Sequence, residues 1–114
     1  MAGARTGPGQ IHDFDRVPSY IGEWGGGMSP RAEAIAAAFT AAGLETYASA
    51  DIRTEIWKKL LGNMTMSAVS GVTNLTSAEI LRLDPLRKLC FTALDEAISI
   101  AHSQNIDIDR DAVV

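Results

Sequence analysis

The chain has 114 residues, enough for one small domain but not for two complete ones. Its 46% hydrophobic and 21% charged residues exclude a disordered or fibrous protein. Fourteen acidic residues against ten basic ones give a net charge of −4, and the basic residues are scattered, which argues against nucleic-acid binding. Composition then divides the chain near Met28, because seven of its ten glycines lie at or before Gly27. Gln10 to Asp13 and Pro18 to Gly22 are β-prone and are predicted to pair as a hairpin around Asp13-Phe14-Asp15-Arg16. With no further strand to join them, these two would form an incomplete sheet. Gly25-Gly26-Gly27 is predicted to be a flexible connector.

From Ser29 onward the signals are helical. Ser29-Pro30 supplies an N-cap and a first-turn proline for a helix from Pro30 to about Ala42, with Ala34, Ile35, Ala38 and Ala42 carrying the pattern and Gly43 closing it. Leu44 to Ala48 is a connector or one more strand. A second helix runs from Ile52 to Ser70. Thr76 caps a short helix to Leu83, with Glu79 completing a capping box. Asp84-Pro85 stops that helix and starts the last one, which reaches about Gln104. The tail from Asp107 to Val114 is acidic and weakly patterned. Cys90 has no second cysteine to pair with and sits among Leu89, Phe91 and Leu94, which suits a packing role. No signal peptide, membrane span or metal-ligand cluster is legible, and a cytoplasmic location is expected.

The second helix is the segment with chemical potential. Ile56, Trp57, Leu60, Leu61, Met64 and Ala68 occupy an arc of about 140° that is predicted to be buried. Lys59, Asn63 and Ser67 recur every four residues and form a polar stripe along the border of that arc. A cation, an amide and a hydroxyl beside an apolar wall suit a small anion such as a keto acid, with the lysine placed for proton donation. A merely solvated helix edge fits the same pattern. Gly62, which costs a helix up to about 1 kcal/mol relative to alanine, implies a close approach by another helix or by a ligand.

Asp51-Ile-Arg-Thr-Glu-Ile-Trp-Lys-Lys-Leu-Leu-Gly-Asn63, Ser67-Ala-Val-Ser-Gly-Val-Thr73 and Glu79-Ile-Leu81 resemble the carboxy-terminal domain of ketopantoate reductases (2-dehydropantoate 2-reductases). Gly9-Gln-Ile-His12 and Tyr20-Ile-Gly-Glu23 resemble the last strands of that family's nucleotide-binding domain. Asp95-Glu96-Ala97 and Asn105-Ile106 resemble its long helix and the Gly-Ile pair that ends it, with asparagine here in place of glycine.

The resemblance implies a mainly α fold of the 6-phosphogluconate dehydrogenase C-terminal-like kind. Residues 1–28 would be a β-hairpin and linker left from the nucleotide-binding domain, and residues 29–114 part of the helical substrate domain. It further implies reduction of an α-keto acid by NADPH, as in pantothenate biosynthesis. Lys59 would be the catalytic lysine at the ketone oxygen, Asn63 a substrate-binding asparagine, and Glu96 either an acidic residue that orients the lysine or a surface glutamate beside Asp95. Ser67 stands where the family commonly has a second asparagine, so its shorter reach bears on substrate choice. Lys58, about 100° away round the helix, is assigned to solvent, and His12 to a structural role.

The family's G-x-G-x-x-G turn is absent from the sequence, so NADPH would be bound by other parts of the enzyme. By the same resemblance the chain is expected to be an excised middle, inactive alone, whose later active-site helices would follow Val114. It would then self-associate or pair with the rest of the enzyme. A non-enzymatic helical interaction module is the competing reading.

Overall fold

The computed structural model describes residues 2–15 and 17–112. It divides into two compact units, one up to Ile52 and one from Arg53. The compositional change near Met28 falls inside the first unit.

In that unit β1 (Ala2–Gly7) pairs antiparallel with β2 (Gln10–Asp15), and β3 (Ser19–Gly22) pairs in parallel with β4 (Thr46–Ser49). A hairpin is present, but the predicted pairing of 10–13 with 18–22 is not formed. The turn is Pro8-Gly9, with Gly9 at φ 70°, where a proline at the second position and a glycine at the third favour reversal. The strand before it escaped notice because alanine and glycine have low β-propensity. Asp13 to Asp15 continue β2 instead of turning, and Arg16, the last residue of the predicted turn, lies outside the described residues.

A parallel pair needs a crossover, and α1 (Pro30–Ala41) supplies it between β3 and β4. Ser29 caps α1 by accepting from the Ala32 amide at 3.1 Å, as its sequence signature predicts. The buried residues of α1 are Ala32 and Ala36, not the row containing Ala34, Ile35 and Ala38. Thr40 continues the row of Ala32 and Ala36 by one turn. Its hydroxyl donates to the Thr46 carbonyl and accepts from the Thr46 amide, both at 3.1 Å, fastening the helix to β4. Small residues on this face let helix and sheet backbones come close. At Gly22 even a methyl group would lie 2.5 Å from the Ser49 carbonyl oxygen and 2.7 Å from Ile52 Cβ.

The triple glycine is a defined turn and not a loose connector. Gly26 and Gly27 have φ of 82° and 85°, and their amides donate to the Glu23 and Ala50 carbonyls at 2.9 and 2.7 Å. Glu23 also accepts from the Ser29 hydroxyl at 2.6 Å and from Arg31 at 2.6 Å. The Arg31 guanidinium and the Ser29 hydroxyl hold its carboxyl below the usual carboxylate range. A depressed carboxyl stabilises the fold above its unfolded value, and the contribution is lost as pH falls through the folded value. Thermal melts of the full chain should therefore show Glu23→Gln below the parent Tm at about pH 7, with the gap closing as pH falls through the depressed folded value.

The second unit is helical. α2 (Ile52–Gly62), which starts at the end of the first unit, runs through a π turn (Asn63–Ser67) into α3 (Ala68–Thr73) without a break. α4 (Ser77–Arg82) carries the predicted capping box, with Thr76 accepting from the Glu79 amide while the Glu79 carboxylate takes the Thr76 amide at 2.8 Å. α5 (Asp84–Ser103) buries Cys90, Leu94, Ala97, Ile98 and Ala101, an amphipathic row at helical spacing. Leu61 packs into a core with Leu94, Ala97, Ile98, Ala101, Ile106 and Ile108, and a second cluster joins Val69, Ile80 and Cys90.

α5 ends in a Schellman turn. Asn105 adopts φ 57°, its amide donates to the His102 carbonyl and the Ile106 amide to the Ala101 carbonyl, both at 3.0 Å. Asparagine tolerates the left-handed conformation, which explains how it can stand where a glycine was expected. The following segment is better patterned than the sequence suggested, because Ile106 and Ile108 are buried between exposed Asp107 and Asp109. Arg110 pairs with Asp95 at 2.6 Å and lies 5.5 Å above the Phe91 ring, holding this segment against α5. Val113 and Val114 lie outside the described residues. Among the described residues no helix is long and apolar enough to cross a membrane.

Candidate functional site

The site begins with a rotation along one helix. A residue four places on in an α-helix lies about 40° further round, so a strict four-residue repeat drifts by about 80° over eight residues. Lys59, Asn63 and Ser67 would spread by that amount on a regular helix. The π turn at Asn63–Ser67 adds one residue to the turn and takes back about 100°. Ser67 therefore returns to within about 20° of Lys59, and the polar residues form a row along the axis. The same correction lines up Leu61, Thr65 and Val69, all buried, on one side. The two rows lie about 160° apart, so the polar row faces away from the core of its own unit.

Lys59, Asn63 and Ser67 are all exposed, and their side chains make no hydrogen bond or ion pair with a described residue. Lys58 differs, since its ammonium is 3.0 Å from the Glu55 carboxylate. The neighbouring lysines are thus distinguished by geometry, one neutralised within the helix and one left with three unused donors. Glu96 is also exposed, but no hydrogen bond or ion pair joins it to Lys59 among the described residues. It lies about 160° round α5 from Leu94, off the buried row. The structure thus aligns Lys59, Asn63 and Ser67 and does not bring Glu96 into contact with the lysine.

Only two of the six residues of the predicted apolar arc face the core. Leu61 is fully buried and Trp57 packs against the core, whereas Ile56, Leu60 and Met64 are 46%, 40% and 47% exposed, and Ala68 is exposed as well. The π turn redirects the core-facing row to Leu61, Thr65 and Val69, leaving Ile56, Leu60 and Met64 as an uncovered strip between the core and the polar row. Gly62 permits no close contact here, since a Cβ on it would meet nothing within 4 Å. His12 sits on β2 opposite Ala4.

Two residues at this site were not singled out for function by the sequence. Thr65, at the middle of the π turn, donates its hydroxyl to the Leu61 carbonyl at 2.9 Å. The buried Cys90 thiol reaches the Thr65 carbonyl at 3.6 Å. The available signal was the four-residue repeat itself, kept by both the polar and the buried rows for longer than a regular helix can hold them in line. Elsewhere, a cleft of about 260 Å³ at the end of α5 is lined by His102, Asn105, Ile106 and Asp107. There the His102 ring lies 3.2 Å from the Ile108 carbonyl, a latch on the chain after the helix.

Among the described residues the triple glycine does not form a dinucleotide cradle. The amides of Gly26 and Gly27 are already spent on backbone carbonyls, so the only glycine run has no free donors at those positions for a phosphate.

Residues 51–114 match the family described as ketopantoate reductase PanE/ApbA C terminal. The 2-dehydropantoate 2-reductase of Mesorhizobium japonicum is 34% identical over 87% of the chain, and that of Halobacterium salinarum 24% identical over 96%. These alignments cover 30% and 36% of the relatives, so the chain spans about a third of their length. A crystal structure of a protein provisionally named a ketopantoate reductase, from Ralstonia solanacearum MolK2, superposes with a TM-score of 0.86. It is 38% identical, over 97% of this chain and 35% of the other.

Proposed function

Because the chain belongs to the ketopantoate reductase PanE/ApbA carboxy-terminal family, we propose that it supplies the keto-acid-binding part of an NADPH-dependent reductase. The whole enzyme converts a substrate of the 2-dehydropantoate type to the 2-hydroxy acid. The observation that carries this reading is the axial row of Lys59, Asn63 and Ser67, an ammonium, an amide and a hydroxyl with no hydrogen-bond or ion-pair partner among the described residues. Exposed polar groups on one line, engaged only by water, can exchange it for the polar groups of a ligand.

Lys59 donates to the ketone oxygen of the bound keto acid, where negative charge grows as a hydride arrives at the carbonyl carbon. Its proton passes to that oxygen, leaving a neutral amine that bulk water reprotonates. Asn63 and Ser67 hold the substrate along the helix, the shorter serine contacting its more distant polar groups. NADPH supplies the hydride when bound, and its phosphates find no cradle at the glycine run among the described residues. Glu96 is given no role at the lysine in this proposal.

Association with a second copy or with the rest of such an enzyme belongs to the same reading, supported by the exposed strip of Ile56, Leu60 and Met64. A cytoplasmic location also follows, where NADPH is available and the free thiol of Cys90 stays reduced. The test is NADPH oxidation by the full-length protein with 2-dehydropantoate and with a panel of other α-keto acids. Saturable oxidation with one 2-hydroxy acid formed per NADPH consumed is expected, and absence of turnover with every keto acid overturns the proposal.

A further inference from the structure

The π turn is held from inside the fold, at a place no ligand would reach. Thr65 is 6% exposed, and its hydroxyl donates to the Leu61 carbonyl at 2.9 Å with the Gly62 carbonyl at 3.4 Å. Widening a turn changes which amide each carbonyl meets, and back-bonding by a threonine hydroxyl bends a helix in the same sense. From the neighbouring helix Cys90, 3% exposed, donates its thiol to the Thr65 carbonyl at 3.6 Å. Two carbonyls of the distorted stretch thus take additional donors, one from within the turn and one from α5. The thiol is a weak donor, but it is held against Val69 and Ile80 and away from competing water.

We propose that Thr65 and Cys90 are positioning residues, a buried strap that keeps the turn widened and thereby sets the line of Lys59, Asn63 and Ser67 on the opposite side of the helix. Without the strap the segment relaxes towards a regular α-helix, and Ser67 swings away from the row by up to about 100°. Substrate specificity is then set partly from the core, by residues that never touch the ligand. The proposal rests on the keto-acid reading for its kinetic arm and on geometry alone for its structural arm.

The experiment compares Thr65→Val, which keeps the shape and removes the donor, with Thr65→Ser, which keeps the donor, and pairs Cys90→Ala with Cys90→Ser in the same way. In the full-length protein, Thr65→Val raises KM for the keto acid at least about tenfold with KM for NADPH within about twofold, and Thr65→Ser stays close to the parent. Cys90→Ala moves in the same direction by less, and Cys90→Ser restores the parent value. Independently of turnover, backbone carbon shifts and amide exchange across residues 63–67 change in Thr65→Val and not in Thr65→Ser. A Thr65→Val protein that loses thermal stability while keeping the parent KM and the parent shifts overturns the proposal, leaving the threonine a packing residue. If the parent protein reduces no keto acid but the shifts respond as expected, the strap stands and the assigned chemistry falls.

Discussion

Replacing Lys59 by alanine is expected to lower kcat/KM for keto-acid reduction by about 100-fold or more, with the fold intact. The removed ammonium is exposed and pairs with no described residue, so its loss leaves no buried charge behind. A 100-fold loss corresponds to about 2.7 kcal/mol of transition-state stabilisation, in the range of a single donor at a developing oxyanion. Lys58→Ala serves as the control, because that ammonium is engaged with Glu55 at 3.0 Å and lies about 100° away. It should change kcat/KM by less than about twofold. Retention of activity within about threefold in Lys59→Ala, less than about 0.7 kcal/mol, would show that the proton comes from elsewhere.

Leu61→Ala should be the most destabilising truncation in the helical unit, costing about 3–5 kcal/mol in urea unfolding of the full chain. Leu61 is fully buried and packs in one cluster with Leu94 and Ile98 of α5 and with Ile106 and Ile108 beyond it. The cavity cannot collapse easily, because Ala97 and Ala101 already bring the helices together and have no side chain to extend. Total stabilities of small domains are only about 5–15 kcal/mol, so the variant would approach the unfolding threshold. Leu60→Ala provides the contrast, since that side chain is 40% exposed and a regular helix pattern would have buried both. Its expected cost is about 1 kcal/mol or less. Equal effects for the two would mean that the core does not run along Leu61, Thr65 and Val69.

What was legible in the sequence was local. The Ser29 cap, the Thr76–Glu79 capping box and the amphipathic row of α5 each depend on residues within a few positions of one another, and each is present. The polar repeat of Lys59, Asn63 and Ser67 was visible too, and its conversion from a drifting stripe to an axial row was not. That step depends on a hydroxyl deep in the helix and a thiol 25 residues away, which no periodicity reports. Strand pairing failed for a related reason. β3 prefers β4 across an entire helix, and the alanines and glycines of β1 carry little signal of a strand. Asn105 ran the other way, since its departure from glycine was noticed and its φ of 57° shows that the substitution keeps the turn.

The widened turn also constrains how this stretch can change in length. Deleting one residue between Asn63 and Ser67 would return the stretch to a regular helix and leave everything from Ala68 onward at about its present rotation, because the extra residue and the roughly 100° it takes back disappear together. Val69 would then keep its place beside Ile80 and Cys90, whereas one further residue inserted here as regular helix would turn it away by about 100°. A gap of one codon is thus the length change this stretch absorbs, and an added codon is the one that would separate the core contact from the binding face.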